Sequence, residues 1–142
     1  LGYRPGDTKM KESDYLDPLY QALLKCNIIP AQAISSDISN KNGTAWISAH
    51  SATFCRGVNY EKQVVIIDEA QNMTVPILKR IISRCYDSCK LVICGCQSQT
   101  DIPVNKSGFN QLIQHMEGFE GYIKCELPIS YRGKLAMHID KL

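Results

Sequence analysis

The chain has 142 residues, the size of one ordinary domain and enough to bury a hydrophobic core. Hydrophobic residues make up 44% of it and charged residues 21%, a composition that excludes a disordered or fibrous protein. Sixteen basic residues against fourteen acidic ones leave a net charge of +2, so charge alone indicates no nucleic-acid partner. No apolar run approaches the roughly 18 residues of a membrane span and no signal peptide is recognisable, so we expect a cytoplasmic protein without membrane contact.

Seven cysteines are an odd number for a disulfide framework, and the core is large enough to do without one. Cys85 and Cys94 lie in apolar patterns, where a free cysteine behaves as a small buried hydrophobe. A four-sulfur zinc site with Cys89 and Cys96 is the alternative. It is disfavoured because thiols on a helix face and inside a strand would not converge. We therefore expect mainly buried free thiols in a reducing compartment.

The first half of the chain carries few strong signals. Asp17 and Pro18 predict a helix start, with Asp as N-cap and Pro at the first helical position, and the helix should end near Asn27. Residues 28–42 are rich in Pro, Ser, Asn and Gly, which is typical of a surface loop. A short strand is predicted at 45–47.

A regular alternation of strands and helices begins at residue 64. Residues 64–67 form an uninterrupted β-branched run, typical of a strand buried on both faces in a parallel sheet. A helix is predicted at about 75–86, with Thr74 as N-cap and Pro76 in its first turn. A second buried strand is predicted at 90–94.

The alternation continues toward the end of the chain. Ser107 is expected to open a third helix, whose apolar positions include Phe109 and Leu112, and Gly118 is placed to close it. A third strand is predicted at 122–127. Strands and helices that alternate with short connections predict a doubly wound α/β fold with a mostly parallel sheet.

In such a sheet, ligands bind beyond the carboxyl ends of the strands. Asp68 and Glu69 follow the first strand of this series, and adjacent carboxylates there are costly without a partner such as hydrated Mg²⁺. In this interpretation Asp68 holds the ion through its water shell, and Glu69 orients or deprotonates the water that attacks a γ-phosphate. The alternative is a strand that simply ends in solvent with two charged residues.

The second strand is followed by the polar segment 95–99, which should lie at the same edge of the sheet. The amide of Gln99 is suited there to sense a phosphate or to align the attacking water. Alone, a glycine followed by polar residues indicates only a turn. The polar residues after the two strands, taken together, favour a ligand-binding site at this edge of the sheet.

Several motifs occur in one order along the chain: GYRPGD at 2–7, FCRG at 54–57, VIIDEAQN at 65–72, G-x-x-x-Q-x-DIP at 95–103, SG at 107–108 and YRG at 131–133. In this order they resemble the PhoH-like ATPases. The resemblance covers nearly the whole of 1–142 as a single domain, with a Walker B segment at 64–72 and a sensor segment at 95–103. Residues 28–49 match least well.

The resemblance implies a RecA-like P-loop fold of three αβα layers, related to superfamily 1 helicases. It implies ATP and Mg²⁺ as cofactors, with hydrolysis coupled to the remodelling or unwinding of single-stranded RNA. It also implies a homo-oligomer, which is a ring in some members, and an association with phosphate starvation and with phages.

Carried over by position, the resemblance makes Asp68 the Mg²⁺ carboxylate and Glu69 the catalytic base. Gln99 would be the γ-phosphate sensor, and Gln71 joins Asp68 among the cofactor-binding residues. Arg56 and Arg132 are candidates to reach a phosphate, in their own subunit or in a neighbour's. The alternative for each arginine is an ordinary surface or ion-paired residue.

The chain departs from the family in two ways. Members usually carry Asp where this chain has Cys96, so the site has one carboxylate fewer. No glycine here begins the phosphate loop G-x-x-x-x-G-K-[ST], which the family places upstream of 2–7. We therefore expect these residues to be the C-terminal part of a longer ATPase, a domain that is incomplete at its N-terminus.

A second hypothesis is a catalytically silent relative that binds nucleic acid or assembles with other subunits. Four basic side chains around one predicted helix form either a solvated face or part of an RNA track: Lys79, Arg80, Arg84 and Lys90. A nuclease would need a further acidic cluster, which the sequence does not contain.

Overall fold

The structure, a computed structural model, describes residues 8–35, 45–52, 55 and 57–139. In chain order its elements are α1 (Thr8–Lys25), α2 (Pro30–Ala33), β1 (Ile34–Ser35), β2 (Ile47–Ser48), β3 (Val64–Ile67), α3 (Val75–Ile82), β4 (Lys90–Ile93), α4 (Phe109–Met116) and α5 (Lys134–Ile139). Two 3₁₀ turns, Ala70–Asn72 and Val104–Lys106, follow β3 and precede α4. None of the helices in these described ranges is long and apolar enough to cross a membrane.

Helix α1 begins at Thr8, so the predicted start at Asp17 and Pro18 is wrong. Pro18 lies inside the helix, where it removes one backbone donor. The preceding residues include Lys, Met and Glu, which are good helix formers and extend the helix toward the N-terminus.

The end of α1 agrees with the prediction near Asn27. Asn27 has a left-handed backbone with φ of 58°, and its N–H donates to the carbonyl of Leu24 at 3.0 Å. The N–H of Ile28 donates to the carbonyl of Leu23 at 2.9 Å. These two bonds form the Schellman arrangement, which satisfies the last carbonyls of a helix.

The segment predicted as a surface loop at 28–42 contains α2 and β1 in its described part. β1 pairs in parallel with β2, with Ile34 opposite Ile47. The strand expected at 45–47 is therefore present but lies slightly later in the chain.

The larger strand pair consists of β3 and β4, which run in parallel from the pair Val64 and Lys90 to the pair Ile67 and Ile93. Both strands coincide with the predicted ones to within one residue. The predicted α/β class with parallel strands is thus confirmed.

One face of the β3–β4 pair supports the core. Six buried residues form this cluster: Cys55, Ile67, Ala70, Leu78, Ile81 and Phe109. Leu91 and Ile93 of β4 pack against it, as do Leu112 and Ile113 of α4. The apolar positions predicted for α3 and α4 therefore meet on this side of the sheet.

The opposite face of the pair remains exposed among the described residues. Ile66 is 66% exposed, Val64 59% and Val92 39%. The prediction that the strand at 64–67 is buried on both faces is therefore wrong for this structure. The β-branched run makes both faces apolar, but the burial of each face depends on what packs over it.

The predicted third strand at 122–127 is not formed. These residues have irregular backbone, and the side chains of Ile123 and Leu127 are 81% and 93% exposed. An isolated strand cannot bond its own amides and carbonyls, so it needs a neighbouring strand. Among the described strands, β3 and β4 pair only with each other.

Helix α3 has Thr74 as N-cap residue and Pro76 in its first turn, as predicted, but it ends at Ile82. Cys85 therefore follows the helix and is only half-buried. It forms a bridge with Tyr60, which ties the segment before β3 to the end of α3.

The cysteines are free thiols, as expected, but they are not mainly buried. Cys55 is buried, whereas four are exposed: Cys26, Cys94, Cys96 and Cys125. Cys94 lies one residue beyond β4 and, by the alternation of side chains along a strand, on the same exposed face as Val92. The hydrophobic pattern alone did not reveal that this face is uncovered.

The start of α4 depends on a close backbone contact. Gly108 is the N-cap residue of α4, and its N–H donates to the carbonyl of Met73 at 2.8 Å. A Cβ atom added at Gly108 would lie 2.5 Å from the backbone nitrogen of Val75. Only glycine fits this approach of α4 to the beginning of α3.

We predict that Gly108→Ala destabilises the fold by about 1–3 kcal/mol, because the contact is with backbone that cannot move aside easily. The measurement is the midpoint and slope of urea unfolding. Gly133→Ala is the matched control, since a Cβ there meets no atom within 4 Å. It should change stability by less than about 0.5 kcal/mol. Equal unfolding midpoints for the two variants would contradict the contact.

Candidate active site

The register of β3 and β4 brings two loops to one edge of the sheet. Ile67 lies opposite Ile93, and the next backbone amide of β4, that of Cys94, donates to the carbonyl of Ile67 at 2.8 Å. The carbonyl of Cys94 accepts from the N–H of Ala70 at 2.9 Å. Asp68 and Glu69 therefore leave β3 beside the loop that follows β4.

Glu69 has an unusual backbone conformation for a residue with a side chain. Its φ and ψ are 52° and 39°, in the left-handed region that is uncommon outside glycine. Its N–H donates to Oδ1 of Asp68 at 3.0 Å. Both carboxylates are exposed. The turn thus presents two acidic side chains to solvent at the carboxyl end of β3.

Gln71 is the polar side chain that joins the two loops. It is only 1% exposed. Its Nε2 donates to Oε2 of Glu69 at 2.5 Å and to the carbonyl of Gln99 at 3.0 Å. Its Oε1 accepts from the N–H of Cys96 at 3.1 Å. The amide predicted to bind a cofactor is therefore bonded to protein groups in the interior.

A second link lies next to the first. Nδ2 of Asn72 donates to Oδ2 of Asp101 at 3.1 Å, and the N–H of Asp101 donates to Oδ1 of Asn72 at 2.6 Å. The hydroxyl of Thr100 donates to the carbonyl of Ile102 at 2.9 Å. No role was predicted from the sequence for these side chains, although Asn72 is the last residue of the motif at 65–72 and Asp101 lies within the motif at 95–103.

Gly95 is required by the close packing of Gln71. A Cβ at this position would lie 2.9 Å from Oε1 of Gln71 and 2.9 Å from Cζ of Phe109. The loop after β4 therefore passes tightly over the buried amide and the first residue of α4. This explains the glycine that opens the predicted sensor segment.

The structure brings together most of the predicted site residues. Asp68, Glu69 and Gln99 are exposed at this edge, and Arg132 lies near enough for its charge to affect Cys96. Arg56 lies outside the described residues. The predicted roles of these side chains in binding or catalysis stay predictions.

Cys96 is the residue of this loop with a perturbed acidity. A hydrogen bond between its Sγ and the hydroxyl of Ser98, 3.2 Å apart, lowers the pKa of the Cys96 thiol. The backbone amide of Ser98 lowers this pKa further and partial burial raises it, while the backbone amide of Gln99 and the positive charge of Arg132 lower it by smaller amounts. The thiol therefore has more thiolate character than an ordinary exposed cysteine.

Asp68 and Glu69 have the donor chemistry that a hydrated Mg²⁺ ion would require, and the ion itself stays a prediction. Among the described residues there is no group of three acidic, histidine or cysteine side chains that would form a metal cage. Mg²⁺ does not need one, because it keeps several waters and commonly takes one or two protein carboxylates plus phosphate oxygens. Asp68 is exposed, and a carboxylate that accepts one N–H retains further lone pairs for metal-bound water.

Comparisons with known proteins agree with the motif order. The family model described as PhoH-like protein matches residues 1–139. A PhoH-like protein of Synechocystis sp. is 33% identical over 128 residues, which cover 89% of this chain and 37% of that protein. A PhoH-like protein of Bacillus subtilis is 33% identical over 129 residues, covering 89% of this chain and 38% of that protein.

Protein PhoH of Escherichia coli is 29% identical over 118 residues, which cover 82% of this chain and 32% of that protein. The chain thus spans about a third of the length of these relatives.

We predict that iodoacetamide alkylates Cys96 with a pH midpoint below the ordinary cysteine value of about 8.5, since the thiolate is the reacting form. Mass spectrometry of the digested protein gives the rate, with Cys125 as the exposed reference thiol. Ser98→Ala should move the Cys96 midpoint upward because it removes the largest stabilising contact. Ser48→Ala, an exposed serine in β2, is the control. An unchanged Cys96 midpoint in Ser98→Ala would contradict the role of the Ser98 hydroxyl in lowering the pKa of Cys96.

Proposed function

Because the chain belongs to the PhoH-like protein family, we propose that it carries the catalytic carboxylates of an enzyme that hydrolyses Mg·ATP. One observation supports this above the others. Glu69 is held beside Asp68 at the carboxyl edge of parallel strands and is bonded to Gln71, which also holds the loop after β4. Hydrolysis of a phosphoanhydride needs an oriented water and stabilised charge, and open parallel sheets bind their ligands at such an edge.

In this proposal Glu69 accepts the proton of the attacking water, or orients that water. Asp68 holds Mg²⁺ through its water shell, and the bound ion would neutralise charge on the phosphates. Gln99 contacts the γ-phosphate from the loop after β4. Arg132 stabilises the developing negative charge, and Arg56 is kept as a second candidate for that role.

The phosphates of ATP need more contacts than these residues supply. No G-x-x-x-x-G-K-[ST] motif occurs in the 142 residues, and the amides and lysine of such a loop normally provide most of the phosphate binding. We propose that a loop outside these residues completes the site. The proposed enzyme is therefore the longer protein and not this chain alone.

We further propose that hydrolysis is coupled to remodelling of single-stranded RNA and that the protein acts as a homo-oligomer. Both ideas depend on the family resemblance. The basic cluster around α3 supports an RNA track only in part. Lys79 and Lys90 are exposed, but Nη1 of Arg84 donates to the carbonyl of Val58 at 3.2 Å and serves the fold. Stimulation of ATP hydrolysis by single-stranded RNA tests the coupling.

A catalytically silent binding module is the second candidate. It is favoured by Cys96, which stands where family members usually carry Asp. A thiolate is a soft ligand and suits Mg²⁺ poorly, so it does not replace a carboxylate oxygen. Measured turnover in the complete protein separates the two candidates.

We predict that the isolated 142-residue chain does not bind Mg·ATP tightly, because two carboxylates, one exposed amide and the candidate arginines cannot hold a triphosphate without the phosphate loop. Isothermal titration calorimetry with Mg·ATP measures this. Tight binding by the isolated chain would contradict the proposed division of the site.

We predict that Glu69→Gln in the complete protein lowers ATP turnover by roughly 10²- to 10⁴-fold, the usual contribution of a general base. ATP affinity should change little, because the amide is isosteric and the phosphate contacts lie elsewhere. Phosphate release and nucleotide binding are measured on the same preparations. Glu120→Gln, an exposed glutamate after α4, is the matched control and should leave turnover unchanged. Wild-type turnover in Glu69→Gln refutes the assignment of the base.

A further inference from the structure

We propose that Gln71 is a positioning residue, which locks Glu69 to the sensor loop, defined here as residues 95–99, so that the two move as one unit. The catalytic consequence rests on the proposed ATP hydrolysis. The locking itself rests only on contacts within the described residues.

A single nitrogen joins the proposed base to the sensor loop. Nε2 of Gln71 carries two hydrogens, and it donates to Oε2 of Glu69 and to the carbonyl of Gln99. With both hydrogens used, the amide cannot turn toward one partner without loosening the other. A shift of the Gln99 backbone therefore moves the Gln71 amide and changes its hydrogen bond to the carboxylate of Glu69.

The opposite end of the same amide fixes its orientation. Oε1 accepts from the N–H of Cys96 at 3.1 Å. Since the oxygen binds a backbone donor and the nitrogen binds two acceptors, a flipped amide would face like groups on both sides. The loop is thus held at Cys96 and at Gln99, near both of its ends.

Burial makes these contacts persistent. Gln71 is only 1% exposed, and a buried amide that loses a partner has no water to replace it. Oε1 lies so close to Gly95 that a Cβ added there would be only 2.9 Å away. A nucleotide cannot reach this amide without displacing protein groups, so Gln71 acts through Glu69 and the sensor loop.

A glutamine is suited to this position because it is neutral and offers both donors and an acceptor. A glutamate would replace Nε2 by an oxygen, which would face Oε2 of Glu69 and the carbonyl of Gln99 with no hydrogen to donate. A methionine would match the length but offer neither donor nor an equivalent acceptor, leaving the N–H of Cys96 and the carbonyl of Gln99 without partners. Gln71→Glu therefore tests the two hydrogen bonds that Nε2 donates, and Gln71→Met tests all three hydrogen bonds of the amide.

The first experiment measures ATP hydrolysis by the complete protein carrying Gln71→Met. We expect kcat to fall by roughly 10- to 100-fold, as when a catalytic group is misplaced by about 1 Å, with a change in KM for ATP below about threefold. Gln111→Met, an exposed glutamine in α4, is the matched control and should keep wild-type kinetics. A wild-type kcat in Gln71→Met, or a change confined to KM, overturns the proposal.

The second experiment uses Gln71→Glu and a pH profile. Below its own pKa the introduced carboxyl group is neutral and has one O–H, so part of the donation is restored. The ratio of variant to wild-type kcat should rise as the pH is lowered, whereas the ratio for Gln71→Met should stay flat. A flat profile for Gln71→Glu overturns the proposal, because restored donation to Glu69 and Gln99 would then have no effect on turnover.

Amide hydrogen exchange at Cys96 separates this inference from the proposed function. In Gln71→Met the N–H of Cys96 loses its acceptor and should exchange roughly tenfold faster or more, while Gln111→Met exchanges as wild type. If the wild-type protein hydrolyses no ATP, the proposed function fails, and faster exchange still supports the lock. Unchanged exchange overturns it. If circular dichroism shows that Gln71→Met does not fold, Gln71→Asn is used for the exchange measurement instead, because its shorter side chain keeps the amide but withdraws the acceptor from Cys96.

Discussion

The parallel register of β3 and β4 is the constraint on which the rest of the structure depends. In parallel strands of matched length, the carboxyl ends lie at the same edge. Here Ile67 and Ile93 are opposite each other, and the Cys94 peptide bonds to the backbone on both sides of Asp68 and Glu69. The ladder therefore continues one step beyond the strands and folds the chain after β3 against the chain after β4.

Two kinds of interaction hold the loops after β3 and β4 in place: apolar packing and hydrogen bonds. Beneath them, Phe109 of α4 and the apolar core hold the backbone close enough to exclude any side chain at Gly95. Between them, Gln71, whose side chain is buried, supplies directional hydrogen bonds. Apolar packing alone would tolerate small sliding movements, and the buried amide removes that freedom because every partner has a defined direction.

Much of the segment from β3 to α4 was predictable, because the sequence patterns that specify its strands and helices are local. The β-branched run at 64–67 predicted β3, the periodic apolar positions predicted α3 and α4, and the order of motifs predicted the family. The polar residues after the strands, Asp68 and Glu69, followed from the rule for parallel sheets. These features depend on residues close together in the chain.

The tertiary structure decided what depends on distant neighbours. The segment 122–127 has the composition of a strand, but a strand forms only beside another strand. The outer face of β3 is apolar, but it is buried only where another element covers it. The sequence by itself determined the identity of the loops and the family, whereas only the fold decided that Gln71 is buried between Glu69 and Gln99. Hydrogen bonds across 28 residues of chain require coordinates in three dimensions, which no local pattern contains.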